Sequence, residues 1–157
     1  MKKVAQEVNL SAILKKKYIG PSLKGANKKE ILTELVGLIT ESGKIKDEKA
    51  FLKSVLDREK LGSTGIGNGV AMPHAKSEAV RSCILAFGRV ESGIDFGALD
   101  GEKTFLFFLL ASPKDEVGSH LKIMARIAHL INDKFIVDSL KRAKTQDEIL
   151  RIISLHK

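Results

Sequence analysis
The sequence predicts an α/β fold of three layers, a sheet flanked by helices, in a single domain spanning residues 1–157. Three observations carry this. Segments of helical periodicity come both before and after a strand-rich middle. The stretch 104–111, Thr-Phe-Leu-Phe-Phe-Leu-Leu-Ala, is apolar without a break, as in a strand covered on both faces. A chain of this length also buries about 68–70% of its unfolded surface, enough for one core.

In chain order, residues 9–14 open a short helix and 17–19 read as a short strand. Asn27-Lys28-Lys29-Glu30 is a capping-box pattern ahead of Ile31, Leu32, Leu35, Val36, Leu38 and Ile39, a helix that stops near Ser42-Gly43. Asp47 caps a second helix with Phe51, Leu52, Val55 and Leu56 on one face, ending about Arg58. Segments 70–72 and 83–90 read as strands, and Glu91-Ser92-Gly93 and Asp100-Gly101 supply turns before the apolar strand. Helices follow at 119–131 and 133–142, with a last one introduced by Thr145-Gln146-Asp147-Glu148.

Composition narrows the function. Apolar residues are 43% and charged residues 29%, as in an ordinary soluble globule. No apolar run approaches the ~20 residues that span a bilayer, and Met1–Glu7 lacks the apolar core of a signal peptide. Cys83 is the one cysteine, so no intrachain disulfide forms and a reducing compartment fits. A cytoplasmic protein without membrane insertion is expected. The net charge of +8 raises the question of a nucleic-acid partner. The basic residues are spread in short clusters among acids, however, and with no tryptophan and one tyrosine there is no stacking platform. We read a solvated basic surface and no nucleic acid.

Residues 58–76, Arg-Glu-Lys-Leu-Gly-Ser-Thr-Gly-Ile-Gly-Asn-Gly-Val-Ala-Met-Pro-His-Ala-Lys, are the most informative stretch. Glycine amides approach an anion closely, and Pro73 stiffens the backbone that presents His74. Neutral imidazole is nucleophilic at one nitrogen when the other donates a hydrogen bond. Arg58 offers a planar fork matched to phosphate oxygens. Ser63, Thr64, Gly65, Gly67 and Gly69 are expected to complete a phosphate cradle. The glycines miss the dinucleotide fingerprint, whose last glycine falls on Val70, and the Walker A spacing also fails. No ligand spacing near the loop suggests a metal, so neither metal nor cofactor is expected. Cys83 reads as core, and Asp95, Asp100 and Glu102 as a solvated turn.

Helical geometry separates the other histidines. At 100° per residue His120 shares a face with Leu121, Ile123, Met124, Ala125, Ile127, Ala128, Leu130 and Ile131, while His129 points away with Lys122 and Arg126. A buried histidine needs a partner, and a backbone carbonyl would serve. Its place at a helix start, after the central strand, equally suits an anion site. His129 and His156 read as solvated surface residues.

The run from Gly62 to Lys76 closely resembles the phosphorylation-site segment of enzyme IIA domains of the fructose/mannitol class of the bacterial sugar phosphotransferase system. That class includes the nitrogen-related regulatory enzyme IIA. Residues 94–101 (Ile-Asp-Phe-Gly-Ala-Leu-Asp-Gly) and 120–128 (His-Leu-Lys-Ile-Met-Ala-Arg-Ile-Ala) match as well, and the resemblance covers about residues 5–155. Met72 stands where isoleucine is usual. The resemblance implies an α/β sandwich with a mixed sheet. It makes His74 the phosphorylated histidine, flanked by Arg58 and His120. It implies phosphate from a histidine phosphocarrier protein without metal or nucleotide, passed to regulatory protein targets or to a IIB domain. The wording of the glycine segment and the isolated domain lean towards the regulator. A binding module without phosphorylation is the reading outside the class.

Overall fold
Strands β1 (Ile19–Gly20), β2 (Gly65–Gly67), β3 (Val70–Ala71), β4 (His74–Ser77), β5 (Ile84–Ile94) and β6 (Thr104–Pro113) form one sheet. Its order is β1-β5-β6-β3-β2, with β4 also paired to β6. The computed structural model describes residues 8–156; Met1–Glu7, read above as lacking a signal peptide, and Lys157 lie outside them. β5 runs antiparallel to β6, β1 parallel to β5, and β3 and β4 both parallel to β6, so the sheet is mixed. Along β6, β3 and β4 are one path interrupted at Met72-Pro73, where Met72 N–H turns to the Thr64 carbonyl.

Helices α1 (Lys28–Ile39), α2 (Glu48–Lys60), α3 (Val117–Ile131), α4 (Lys134–Arg142) and α5 (Gln146–Leu155) complete the layers. α1 and α2 pack on each other and on β5 and β4, whereas α3, α4 and α5 pack in series and on β6 and β1. Their ends follow the sequence closely. Asn27, Asp47, Asp133 and Thr145 each accept a backbone N–H of the first turn. Glu30 and Glu148 reach past the cap residue, to Ala26 N–H and Lys144 N–H. Gly43, at φ +83°, ends the first helical segment after a short 3₁₀ turn.

The core explains the layering. β6 is buried along its length apart from the half-covered Phe105. Adjacent strand residues face opposite ways, so Phe108 meets Phe87 on one side and Phe107 meets Phe96 on the other, both edge-on at 4.9 and 5.1 Å between ring centres. A Cβ at Gly88 would lie 2.8 Å from Leu35, so its absence lets α1 press onto β5.

Several expectations shift. The strand expected at 17–19 is a 3₁₀ turn, Lys16–Tyr18, followed by the two-residue β1. β5 runs further than 83–90, α2 continues past Arg58 to Lys60, and α3 starts two residues before 119. β2 and β4 were not expected as strands. The apolar arc around His120 is narrower than helical phase suggested, because Leu121, Ala125 and Ala128 are exposed.

Candidate functional site
His74 opens β4 immediately after Pro73 and is half-buried. Its Nδ1 lies 2.9 Å from the Met72 carbonyl oxygen. A carbonyl only accepts, so Nδ1 carries the proton and the lone pair is on Nε2. His120, 3% exposed, sits in the first turns of α3, with its ring 5.4 Å from that of His74 and tilted by 56°. Its Nδ1 meets the buried Ser112 hydroxyl at 2.8 Å. Two imidazoles from sequence-distant elements therefore meet at one end of the sheet, because β4 and β6 run parallel and α3 returns over the end of β6.

Both rings are kept neutral at physiological pH. Burial is the main cause of the lowering of His74, reinforced by the charges of Arg58 and Lys76. Burial, then His74 and Lys76, push His120 down to about 4. Arg58, near the end of α2, donates from Nη1 to the Gly62 carbonyl at 2.9 Å, which fixes the guanidinium whose charge acts on His74. Lys76, two residues on from His74, shares its strand face by the period of two. Sequence reasoning passed over Lys76, although that period was available to find it.

The cradle expected from the glycine segment needs correction. Thr64 is buried, and both its amide (2.9 Å) and its hydroxyl (2.6 Å) donate to the Glu59 carboxylate. Ser63 donates its hydroxyl to the Phe96 carbonyl and accepts from Gly65 N–H, so neither hydroxyl, nor the Gly65 amide, is left for a phosphate. Gly67 and Gly69 are not beside His74 at all. Gly67 pairs with Val70 across Asn68 (φ +58°) and Gly69 (φ +83°), a two-residue type I′ hairpin turn. Val70 lies opposite Leu106 and His74 opposite Leu110. Four residues at about 3.3 Å each put the turn roughly 13 Å from His74. There Asp100, expected as a solvated turn, accepts Asn68 N–H at 3.0 Å, and Lys141 covers Gly69. The Asn68-Gly69 dipeptide was the available signal for this hairpin.

Glu59 is a second residue that sequence reasoning missed. It is 7% exposed and bonded to the Lys28 ammonium at 2.8 Å, which also lies over the Phe96 ring. Through Thr64 it ties α2 to the glycine segment beside His74. Ser112 is a third. No local pattern marks either, since their partners lie on other elements. Cys83, read as core, is half-exposed just before β5, and its thiol lies 3.5 Å from Ser112 Oγ. Burial pushes that thiol up, so it is not a ready thiolate. His156 is not a free surface residue either: its side chain is 11% exposed and contacts Arg126 and Asp133.

Large apolar side chains are exposed in the segments that carry the site: Leu61 at the end of α2, Leu99 bonded through its amide to the Gly65 carbonyl, and Val117 and Leu121 in the first turns of α3. Among the described residues, no helix is long and apolar enough to cross a membrane.

Comparison with known proteins shows the family. Residues 12–156 match the family described as the phosphoenolpyruvate-dependent sugar phosphotransferase system, EIIA 2. The chain is 38% identical over 136 residues to a nitrogen regulatory protein of Bradyrhizobium diazoefficiens, covering 86% of this chain and 88% of that one. It is 33% identical over 149 residues to a fructose-specific EIIABC component of Bacillus subtilis, covering 95% of this chain but only 24% of that longer protein. The crystal structure of the nitrogen regulatory protein IIA-Ntr from Neisseria meningitidis superposes with a TM-score of 0.84 at 31% identity, covering 91% and 97% of the two chains. The mixed sheet between helices, the match over nearly the whole chain and these relatives agree: the chain belongs to the EIIA type 2 family of phosphotransferase-system components.

Proposed function
We propose that His74 accepts a phosphoryl group on Nε2 and that the protein acts as a phosphorylation-dependent regulator of the nitrogen-related kind. The observation that carries the reading is the 2.9 Å contact of His74 Nδ1 with the Met72 carbonyl, which leaves the nucleophilic lone pair on Nε2. The phosphoryl donor is a phosphohistidine of the phosphocarrier protein. The Nε2 lone pair forms the new N–P bond as the donor's N–P bond breaks, and that electron pair returns to the donor imidazole. Arg58 and His120 offset charge on the transferring oxygens, and burial keeps water away. No metal and no nucleotide takes part. The exposed Leu61, Leu99, Val117 and Leu121 form an apolar rim on which a partner docks.

The regulator reading is supported by the 38% identity over 136 residues to the nitrogen regulatory protein of B. diazoefficiens. The fructose-specific relative of B. subtilis supports a second reading, delivery of phosphate to a IIB domain during sugar uptake. Growth on fructose or mannitol after deletion separates the two: a specific defect overturns the regulator. Incubation with phosphoenolpyruvate, enzyme I and the phosphocarrier tests the phosphoryl step. Acid-labile phosphate is expected at His74, and an unlabelled wild type beside a labelled control IIA ends the reading.

A further inference from the structure
We infer that Ser112 is a positioning residue that sets the tautomer of His120, its hydroxyl donating to Nδ1 and so leaving the ring's one proton on Nε2. The inference rests on the phosphoryl reading of His74, and its geometry is independent of it.

Ser112 lies on β6, is fully buried, and is the residue opposite Lys76 in the β4 register. Its hydroxyl has one proton to give and two contacts to satisfy: His120 Nδ1 at 2.8 Å and Cys83 Sγ at 3.5 Å. A neutral imidazole presents either a donor or an acceptor at Nδ1, so two arrangements are open. In one, the Cys83 thiol donates to Ser112, Ser112 donates to Nδ1, and His120 carries its proton on Nε2. In the other, the thiol turns to Glu116, Ser112 donates to sulfur, and Nδ1 donates to Ser112. The Glu116 contact is longer, 3.9 Å against 3.5 Å, and it is exposed where the Ser112 contact is half-buried. Water competes at the exposed contact, so the thiol proton belongs on the Ser112 side.

The chemistry favours the same arrangement. Nδ1 of both rings is occupied, by Met72 and by Ser112, so Nε2 is the nitrogen each has left for the reaction. A lone pair at His120 Nε2 would face the oxygens of a phosphoryl group on His74 and repel them. An N–H there donates to them without any change in the charge of the ring. The neutrality that burial imposes on His120 thus leaves it useful only if its tautomer is the right one, and Ser112 is what selects it.

Histidine-selective ¹⁵N labelling and long-range ¹H–¹⁵N correlation on the intact protein at pH 7 read the tautomer directly. The wild type is expected to show His120 as Nε2–H with an acceptor-type Nδ1, and His74 as the opposite tautomer. A wild-type His120 found as Nδ1–H overturns the inference, whatever happens to His74. In Ser112→Ala the two His120 nitrogens are expected to average towards a mixture, and phosphoryl acceptance by His74 to slow about tenfold. Ser112→Thr, which keeps the hydroxyl, is expected to restore both. A folded Ser112→Ala protein with an unchanged tautomer also overturns it. A wild type showing the expected tautomer but taking no phosphate would sink the phosphoryl reading and leave the assignment of Ser112 standing.

Discussion
The protein contains two pairs of histidines with almost the same ring geometry and opposite prospects. His74 and His120 lie 5.4 Å apart with a tilt of 56°, and His129 and His156 lie 5.2 Å apart with a tilt of 52°. Each pair even has an arginine nearby, Arg58 for the first and Arg126 for the second. They differ in what the nitrogens do. In the outer pair both nitrogens of His156 face charged side chains, Nδ1 at 3.3 Å from Arg126 and Nε2 at 3.7 Å from the Asp133 carboxylate, where the end of α5 meets α3 and the start of α4. In the inner pair Nδ1 is spent on a carbonyl and on a hydroxyl, while Nε2 of each ring remains for chemistry. Ring proximity does not make a site. On the proposed reading, a held tautomer and an unspent nitrogen do.

The largest expected effect breaks the comparison outright if it fails. His74→Ala should take up no acid-labile phosphate from the phosphocarrier, and His156→Ala should be labelled like the wild type; mass spectrometry of the two after incubation decides. Next comes stability. The unfolded chain protonates His120 near its ordinary 6.5, the folded protein only near 4. As pH falls through that window the unfolded state binds the extra proton, so stability is lost between about 6.5 and 4 and levels off below. At about 1.4 kcal/mol for each pH unit the loss is on the order of 3 kcal/mol. Urea midpoints measured across this range should drop steeply in the wild type and much less in His120→Gln.

A smaller effect separates the two members of the inner pair. His120→Ala should still accept phosphate at His74, about 10–100-fold more slowly, because a lost donor to a developing charge weakens transfer without removing the nucleophile. Equal loss in His74→Ala and His120→Ala, both folded, would contradict that division of labour. The smallest effect concerns the hairpin turn. Gly69→Ala places a Cβ at φ +83°, 2.8 Å from the Lys141 ammonium. It should cost about 1 kcal/mol in thermal unfolding and leave the rate of phosphorylation alone, as befits a turn remote from His74.

Much of the fold was legible in the sequence because its signals are local. Asn27, Asp47, Asp133 and Thr145 cap helices through amides two or three residues away. The unbroken apolar stretch of β6 announced a central strand, and Pro73 ahead of His74 announced a stiffly presented imidazole. The glycine segment was harder to read, since one composition serves two jobs. Its first half is stapled to α2 by Glu59 and its second half is a type I′ turn, and only the second carried a dipeptide signal.

By itself, then, the sequence determined the helices, four of their N-terminal caps and the covered central strand. Each depends on neighbours within a turn or two of chain. The resemblance named Arg58 and His120 as the residues flanking His74, and the tertiary structure decided how they and the others around that imidazole are held. His120 comes from 46 residues further on, Ser112 reaches it from β6, and Glu59 meets Lys28 across two helices. Those meetings follow from strand register and helix packing. A buried nitrogen takes the partner that packing brings to it, and no local pattern records which one that will be.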